Sequence, residues 1–274
     1  MTSEVQVLGL CRFSYPAPID SFQTRHKTLE DRKAMLYSPE RLELRCFWFE
    51  QITLPSLLAQ TDPDFTLLIL FGDDFPEPYR SRILKLVEGV KQIKPVFRAS
   101  APHRDVYREI MQAERRFESR AVAEFRLDDD DAVAVNFVAQ TRTRFRQVAP
   151  VFESAERMAM DFSRGVIISA KPEGVEFLPV ITRFWSAGLV VFFKPEHDRS
   201  VMDFPHQQIW KRMPAVSFNQ SIMYLRGMHR TNDSKVRTKG NGRFILPEKE
   251  LASKLRQRFR VEKDRFVTGV TPLL

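Results

Sequence analysis

Cysteine is scarce: Cys11 and Cys46 are the only two in 274 residues, and nothing in the sequence pairs them. Two buried, reduced thiols are expected rather than a disulfide framework. Tyrosine is scarce as well, 5 against 23 phenylalanines, so the core should be rich in rings without a polar tip. No apolar run approaches the length of a membrane span. Residues 1–6 lack the basic-then-apolar order of a signal peptide. The expectation is a soluble, cytoplasmic protein. A Walker-type phosphate loop, a Gly-x-Gly-x-x-Gly, a Gly-x-Ser-x-Gly elbow and a Cys/His zinc spacing are all missing. That sets aside P-loop, dinucleotide-binding, α/β-hydrolase and zinc-site readings.

The balance of charge is basic: 43 Lys and Arg against 35 Asp and Glu, a formal net charge of +8. Such a surplus favours anionic partners. Nucleic acid is not expected, because neither a recognition helix nor base-stacking aromatics accompany the charge. There are no repeats and no low-complexity linker. Strand-like and helix-like segments alternate, the pattern of an α/β fold with a mixed, mostly parallel sheet flanked by helices. Strands are expected at residues 5–11, 65–71, 93–97, 121–127, 165–169, 188–193 and 221–225. Ser38 and Pro39 suit a helix start, and Leu42, Cys46, Phe49 and Thr53 share a face of that helix until Pro55 ends or kinks it. Further helical stripes run through Tyr79 to Val90, Val106 to Phe117 and Ala134 to Phe145. The chain divides into residues 1–145 and a second half, 146–274, within one domain.

The most informative local feature is four consecutive aspartates, Asp128 to Asp131, following the apolar strand 121–127. Four adjacent carboxylates repel one another, and a helix N-terminus needs only one of them as a cap. A cation is expected among them, most simply a hard divalent metal such as Mn²⁺ or Mg²⁺, which takes oxygen ligands. A second acidic turn, Asp73 and Asp74, ends strand 65–71. In open α/β sheets ligands bind beyond the carboxyl ends of the strands, so both turns are candidate sites, with turn chemistry the alternative for Asp73 and Asp74.

Phe49-Glu50, Leu54-Pro55-Ser56-Leu57, Gln60-Thr61 and Asp64-Phe65 before an apolar strand resemble the start of a nucleotide-sugar-dependent glycosyltransferase of the GT-A type. Arg126-Leu-Asp-Asp-Asp-Asp-Ala132 resembles the Asp-x-Asp motif of that fold. With Gly9-Leu-Cys-Arg-Phe-Ser-Tyr-Pro16 added, the chain is similar to the rhamnosyltransferase family in particular, well over residues 5–140 and loosely beyond. The resemblance implies a GT-A-like (Rossmann-like) fold and transfer of a sugar from a nucleoside-diphosphate sugar to a glycan or glycolipid. The first half would bind the donor and the second the acceptor. It also implies contact of the basic tail with the inner face of a membrane, since acceptors of such enzymes are often lipid-linked.

By the same pattern Asp128 and Asp130 form the Asp-x-Asp pair, Asp130 as direct metal ligand and Asp128 nearer the ribose. Asp131 would bind the metal through water, and Asp129 would face away as a helix cap. His229 would complete the metal shell. Arg12, Ser14, Asp73, Asp74 and Arg126 would meet the nucleotide. Lys235, Arg237 and Lys239, in a loop 226–243 read as a lid, would neutralise the diphosphate. For an inverting transfer, which needs a general base, the pattern offers Asp203 first and His206 second, with helix capping the alternative for Asp203. Trp185 and Trp210 are candidates for stacking on an acceptor sugar, against core packing. His26, His103 and His197 show no partner. Two other chemistries stay open: a sugar nucleotidyltransferase, and a non-catalytic, cation-dependent glycan-binding protein. Asp130→Ala is expected to remove activity without harming the fold.

Overall fold

A computed structural model describes residues 4–18, 28–232 and 240–274 of the chain. Seven strands form the main sheet in the order β10-β6-β9-β4-β1-β2-β3. They are β1 (Val5–Arg12), β2 (Thr66–Gly72), β3 (Ile93–Arg98), β4 (Ala121–Asp128), β6 (Arg157–Phe162), β9 (Leu189–Phe193) and β10 (Ala215–Phe218). Only β9 runs antiparallel to its neighbours, so this is the mixed, mostly parallel sheet expected. β1, β2 and β4 are buried along nearly their whole length, as their largely apolar sequences require, and Glu124 within β4 is buried against Arg115. Strands from both halves of the chain share this sheet. A second sheet of five strands, β12-β8-β7-β11-β5, lies at its carboxyl side. It contains β5 (Ala132–Val133), β7 (Arg164–Lys171), β8 (Gly174–Ile181), β11 (Tyr224–Met228) and β12 (Gly242–Arg243).

Helices α1 (Leu29–Leu36), α2 (Pro39–Trp48), α3 (Leu54–Leu58), α4 (Tyr79–Val87), α5 (His103–Ala113) and α6 (Phe137–Ala155) occupy the intervals between strands. α7 (Glu248–Phe259) and α8 (Lys263–Val270) close the chain. The stripes ending at Val90 and Phe117 overran their helices: α4 stops at Val87 before Gly89 takes a positive φ of 73°, and Phe117 is 73% exposed. Pro55 does not end its helix. A π-helical turn, Phe49–Thr53, precedes it, and Pro55 sits in the first turn of α3, where its missing N–H costs little. The strand expected at 221–225 begins three residues later, as β11. Cys11 and Cys46 are free and buried, as expected. Among the described residues no helix is long and apolar enough to cross a membrane.

Candidate active site

The register of the main sheet places Arg12, the last residue of β1, directly beside Asp128, the last residue of β4. A tight turn follows, closed by the Asp131 amide donating to the Asp128 carbonyl at 3.1 Å. No helix starts here; the chain enters β5 instead. Asp129 therefore does not face away as a helix cap. Its side chain is fully buried and ion-paired with Arg45, and its carbonyl accepts from the Thr53 hydroxyl at 3.0 Å. Only Asp128 is partly open, with 31% side-chain exposure against 0–1% for the other three.

Arginines meet most of the repulsion that the sequence assigned to a metal. Arg45 Nη1 donates to Asp130 at 3.1 Å. Arg226 Nη1 bridges Asp128 at 3.1 Å and Asp131 at 2.6 Å, and reaches Ser186 at 3.0 Å. Arg12 lies 3.7 Å from Asp128. Four carboxylates thus face four guanidinium groups, the fourth being Arg126, whose hydrogen bond is to the Met202 thioether at 3.5 Å. Burial, together with repulsion by Arg12 and Arg226, lowers the Arg126 pKa to about 10. Burial pushes Asp128 and Asp130 up, but Arg226 and Arg45 more than offset it, and both stay below the usual carboxylate range. For Asp131 burial wins over Arg226 and its carboxyl is raised well above the ordinary value. Gly227 is required here: a Cβ would lie 2.7–2.8 Å from Asp130, while the Gly227 amide donates to Asp131 at 3.0 Å.

His229 does come to the cluster. Its Nε2 is 3.0 Å from Asp130, its Nδ1 is 3.0 Å from the Thr231 hydroxyl, and Trp48 packs against the ring at 5.0 Å. Asn232 donates to Asp130 at 2.6 Å. Burial lowers the His229 pKa, so the ring is neutral, the form that ligates metals. Asp128, Asp130 and Asp131 each offer an oxygen within 4.8 Å of the others. These hard oxygens, with a neutral imidazole beside them, suit a divalent cation such as Mn²⁺ or Mg²⁺. Arg226 shares two of the three carboxylates, so a cation would bind beside the guanidinium rather than in place of all the arginine charge.

The remaining candidates separate. Ser14 has a positive φ of 49° and accepts from Arg41 at 2.6 Å, at the mouth of the cluster. Asp73 is exposed beyond β2. Asp74 is tied down by Lys33 at 2.5 Å and the Tyr37 hydroxyl at 3.0 Å, a lock between α1 and β2 rather than a free nucleoside ligand. Lys235, Arg237 and Lys239 lie outside the described residues, as does His26. Trp185 packs in the core and Trp210 is 57% exposed. His197 has a partner after all: its Nδ1 accepts the Arg199 amide at 3.0 Å.

Asp203 is the clearest correction. Both of its oxygens are engaged, by Arg108 at 2.5 and 3.2 Å and by the Ser200 amide at 2.8 Å, in a capping box. Burial would raise its pKa, but Arg108 and the Ser200 amide outweigh it and the carboxyl is lowered; with both oxygens already bonded it is committed to the cap. Asp203→Asn should therefore cost about 1–2 kcal/mol of stability and change turnover less than tenfold. Urea unfolding and steady-state rates check this; a hundredfold loss of turnover at full stability would restore the base. His206 remains available. Its Nδ1–H donates to the Phe184 carbonyl at 2.7 Å, leaving Nε2 with its lone pair. Burial, with help from Arg126, lowers its pKa to about 3, so it is neutral at physiological pH.

Two further residues escaped the sequence reading. Arg45 was lost in the charged run of α2. Asp161, at the end of β6, is buried, accepts from Ser217 at 2.9 Å, and is pushed up to about 7 by burial.

A family model described as "Putative rhamnosyl transferase" matches residues 6–241. No curated protein matches the chain. Among solved structures, S. aureus TarS 1-349 is similar over 81% of this chain and 60% of that one, at 9% identity and TM-score 0.41. The same fragment in complex with UDP gives 11% identity and TM-score 0.43 over the same shares. The 4-diphosphocytidyl-2C-methyl-D-erythritol synthase of Anaerococcus prevotii is similar over 86% of this chain and 92% of that one, at 8% identity and TM-score 0.31. The chain spans about three-fifths of the TarS fragment.

Proposed function

We propose that this chain, which belongs to the family described as Putative rhamnosyl transferase and is a glycosyltransferase, binds a nucleoside-diphosphate sugar at the carboxyl ends of β1 and β4. One observation carries the reading: Arg12, Arg126 and Arg226 surround the partly open carboxylate of Asp128. Among the described residues no carboxylate is bonded to Arg126. Such a cluster takes an anion, and a diphosphate presents oxygens that match guanidinium forks.

Breaking the sugar–phosphate bond leaves negative charge on the departing diphosphate. Guanidinium groups fixed in advance by Asp128, Asp131 and Ser186 stabilise that charge without reorganising. Asp128, Asp130 and Asp131, with His229, would hold a divalent cation, which when bound supplies Lewis-acid neutralisation of the same phosphates. Ser14 and Asp73 stand at the strand ends nearest the nucleoside. His206, neutral and oriented by the Phe184 carbonyl, is the base that takes the acceptor hydroxyl's proton in an inverting transfer. Rhamnose as the sugar follows from the family's description, and the acceptor is a glycan or glycolipid.

The test is release of nucleoside diphosphate from a panel of UDP-, GDP- and dTDP-sugars, with Mn²⁺, with Mg²⁺ and with EDTA. We expect turnover of donors sharing one base, lost in EDTA. Pyrophosphate release from a nucleoside triphosphate would instead mark a nucleotidyltransferase. Failure of every donor to be cleaved or bound would overturn the reading.

A further inference from the structure

A cavity of about 1020 Å³ opens beyond the carboxyl ends of β6 and β10, on the same edge of the main sheet as the aspartates. The segment Phe184 to Ser186 touches both. Ser186 accepts from Arg226 on the aspartate side, while Phe184 lines the cavity. Phe184 is held at a φ of 57°, a conformation that side chains adopt at a cost and that concentrates at functional sites. Its carbonyl is the acceptor that orients His206. The nominated base is thus anchored to the segment that touches both the cavity and the aspartate cluster.

The lining chemistry is distinctive. Asn219, Asn241, Gln207 and Ser217 bring neutral hydrogen-bonding groups to the wall, Arg183 is the only charged residue on it among the described residues, and Trp210 is 57% exposed beside them. Ser217 spends its hydroxyl hydrogen on buried Asp161, so it meets a ligand only as an acceptor. Uncharged amides and hydroxyls around an open indole match a sugar, which carries hydroxyls at its rim and an apolar face of C–H groups. The volume is at the upper end for small-molecule pockets, roughly 300–1,000 Å³, with room for more than one ring.

We propose that this cavity is the acceptor site: it binds the end of a neutral or singly acidic glycan chain, with Trp210 under a sugar ring and the reacting hydroxyl directed past Phe184 toward His206. The proposal rests on the donor assignment above. Trp210→Ala removes the platform, and Asn219→Trp fills the cavity from an exposed loop position, so neither disturbs the core. The probe is a polysaccharide and glycolipid extract of cells that carry this gene, incubated with radiolabelled nucleotide sugar.

Both variants should incorporate on the order of tenfold less label at subsaturating extract, and Trp210→Ala should recover as extract is raised. Nucleoside-diphosphate affinity should stay within about twofold of the parent, a change worth under about half a kcal/mol. Parent-like incorporation in both variants would overturn the assignment, as would loss of nucleotide binding along with transfer. A parent protein that neither binds nor cleaves any donor would overturn the donor reading itself, a result distinct from the other two.

Discussion

Replacing Arg45 by Met should destabilise the fold by about 3–5 kcal/mol, the cost of leaving a buried charge without its partner. Arg45 is nearly inaccessible, and so are Asp129 and Asp130, which it joins. Without the guanidinium, Asp129 keeps no cation among the described residues and Asp130 falls back on His229 and Asn232. Methionine fills much of the space, so the loss reports charge rather than a cavity. The urea midpoint should fall accordingly, and pairing the change with Asp129→Asn should restore part of it, because residues in one network are not additive. A single variant within about 1 kcal/mol of the parent would mean that the arginine is not what holds the aspartates together.

Asp128→Asn should have the opposite profile. Of the four clustered aspartates it alone has substantial side-chain exposure, 31%, and asparagine keeps its shape, so stability should change by less than about 1 kcal/mol. Turnover of the nucleotide sugar should nevertheless fall by about 10²–10³, the usual cost of one preorganised electrostatic contact to a transition state. Asp128 sets Arg12 and Arg226 in place and belongs to the oxygen cluster suited to a cation, so both supports of the diphosphate weaken together. The sequence pointed to Asp130→Ala for this experiment. The structure argues against it: Asp130 accepts from Arg45 and Asn232 while fully buried, so alanine would strand their donors and confuse loss of activity with loss of fold. Unchanged turnover in Asp128→Asn would remove Asp128 from the donor site.

The strands that carry the proposed donor site were legible because their signals are local. β2 is an unbroken apolar run, β1 and β4 are mostly apolar with Gln6, Glu124 and Arg126 as the interruptions, and acidic turns end β2 and β4. The partners of those aspartates were not legible. Arg45 lies 84 positions from Asp129 and Arg226 lies 98 from Asp128, and each reads locally as one more charge on a polar stretch. Only the fold reveals that Arg41 and Arg45, a helical turn apart, turn inward. Capping was the alternative given for Asp203, and Ser200 three residues before it spells the capping box. The half-exposed strands β8 and β10 drew no attention in the sequence, so the cavity they help to frame had no sequence signal beyond Trp210.

The central claim is that the aspartate–arginine cluster binds the diphosphate of a sugar donor. Calorimetric titration of UDP, GDP and dTDP into the parent and into Asp128→Asn, each with Mn²⁺ and with EDTA, tests it most directly. One diphosphate should bind the parent in the presence of the metal and raise its stability by about 2.7 kcal/mol at a hundred times its dissociation constant, and Asp128→Asn should lose most of that affinity. Binding of none of the three, or equal binding by the parent and Asp128→Asn, would contradict the account.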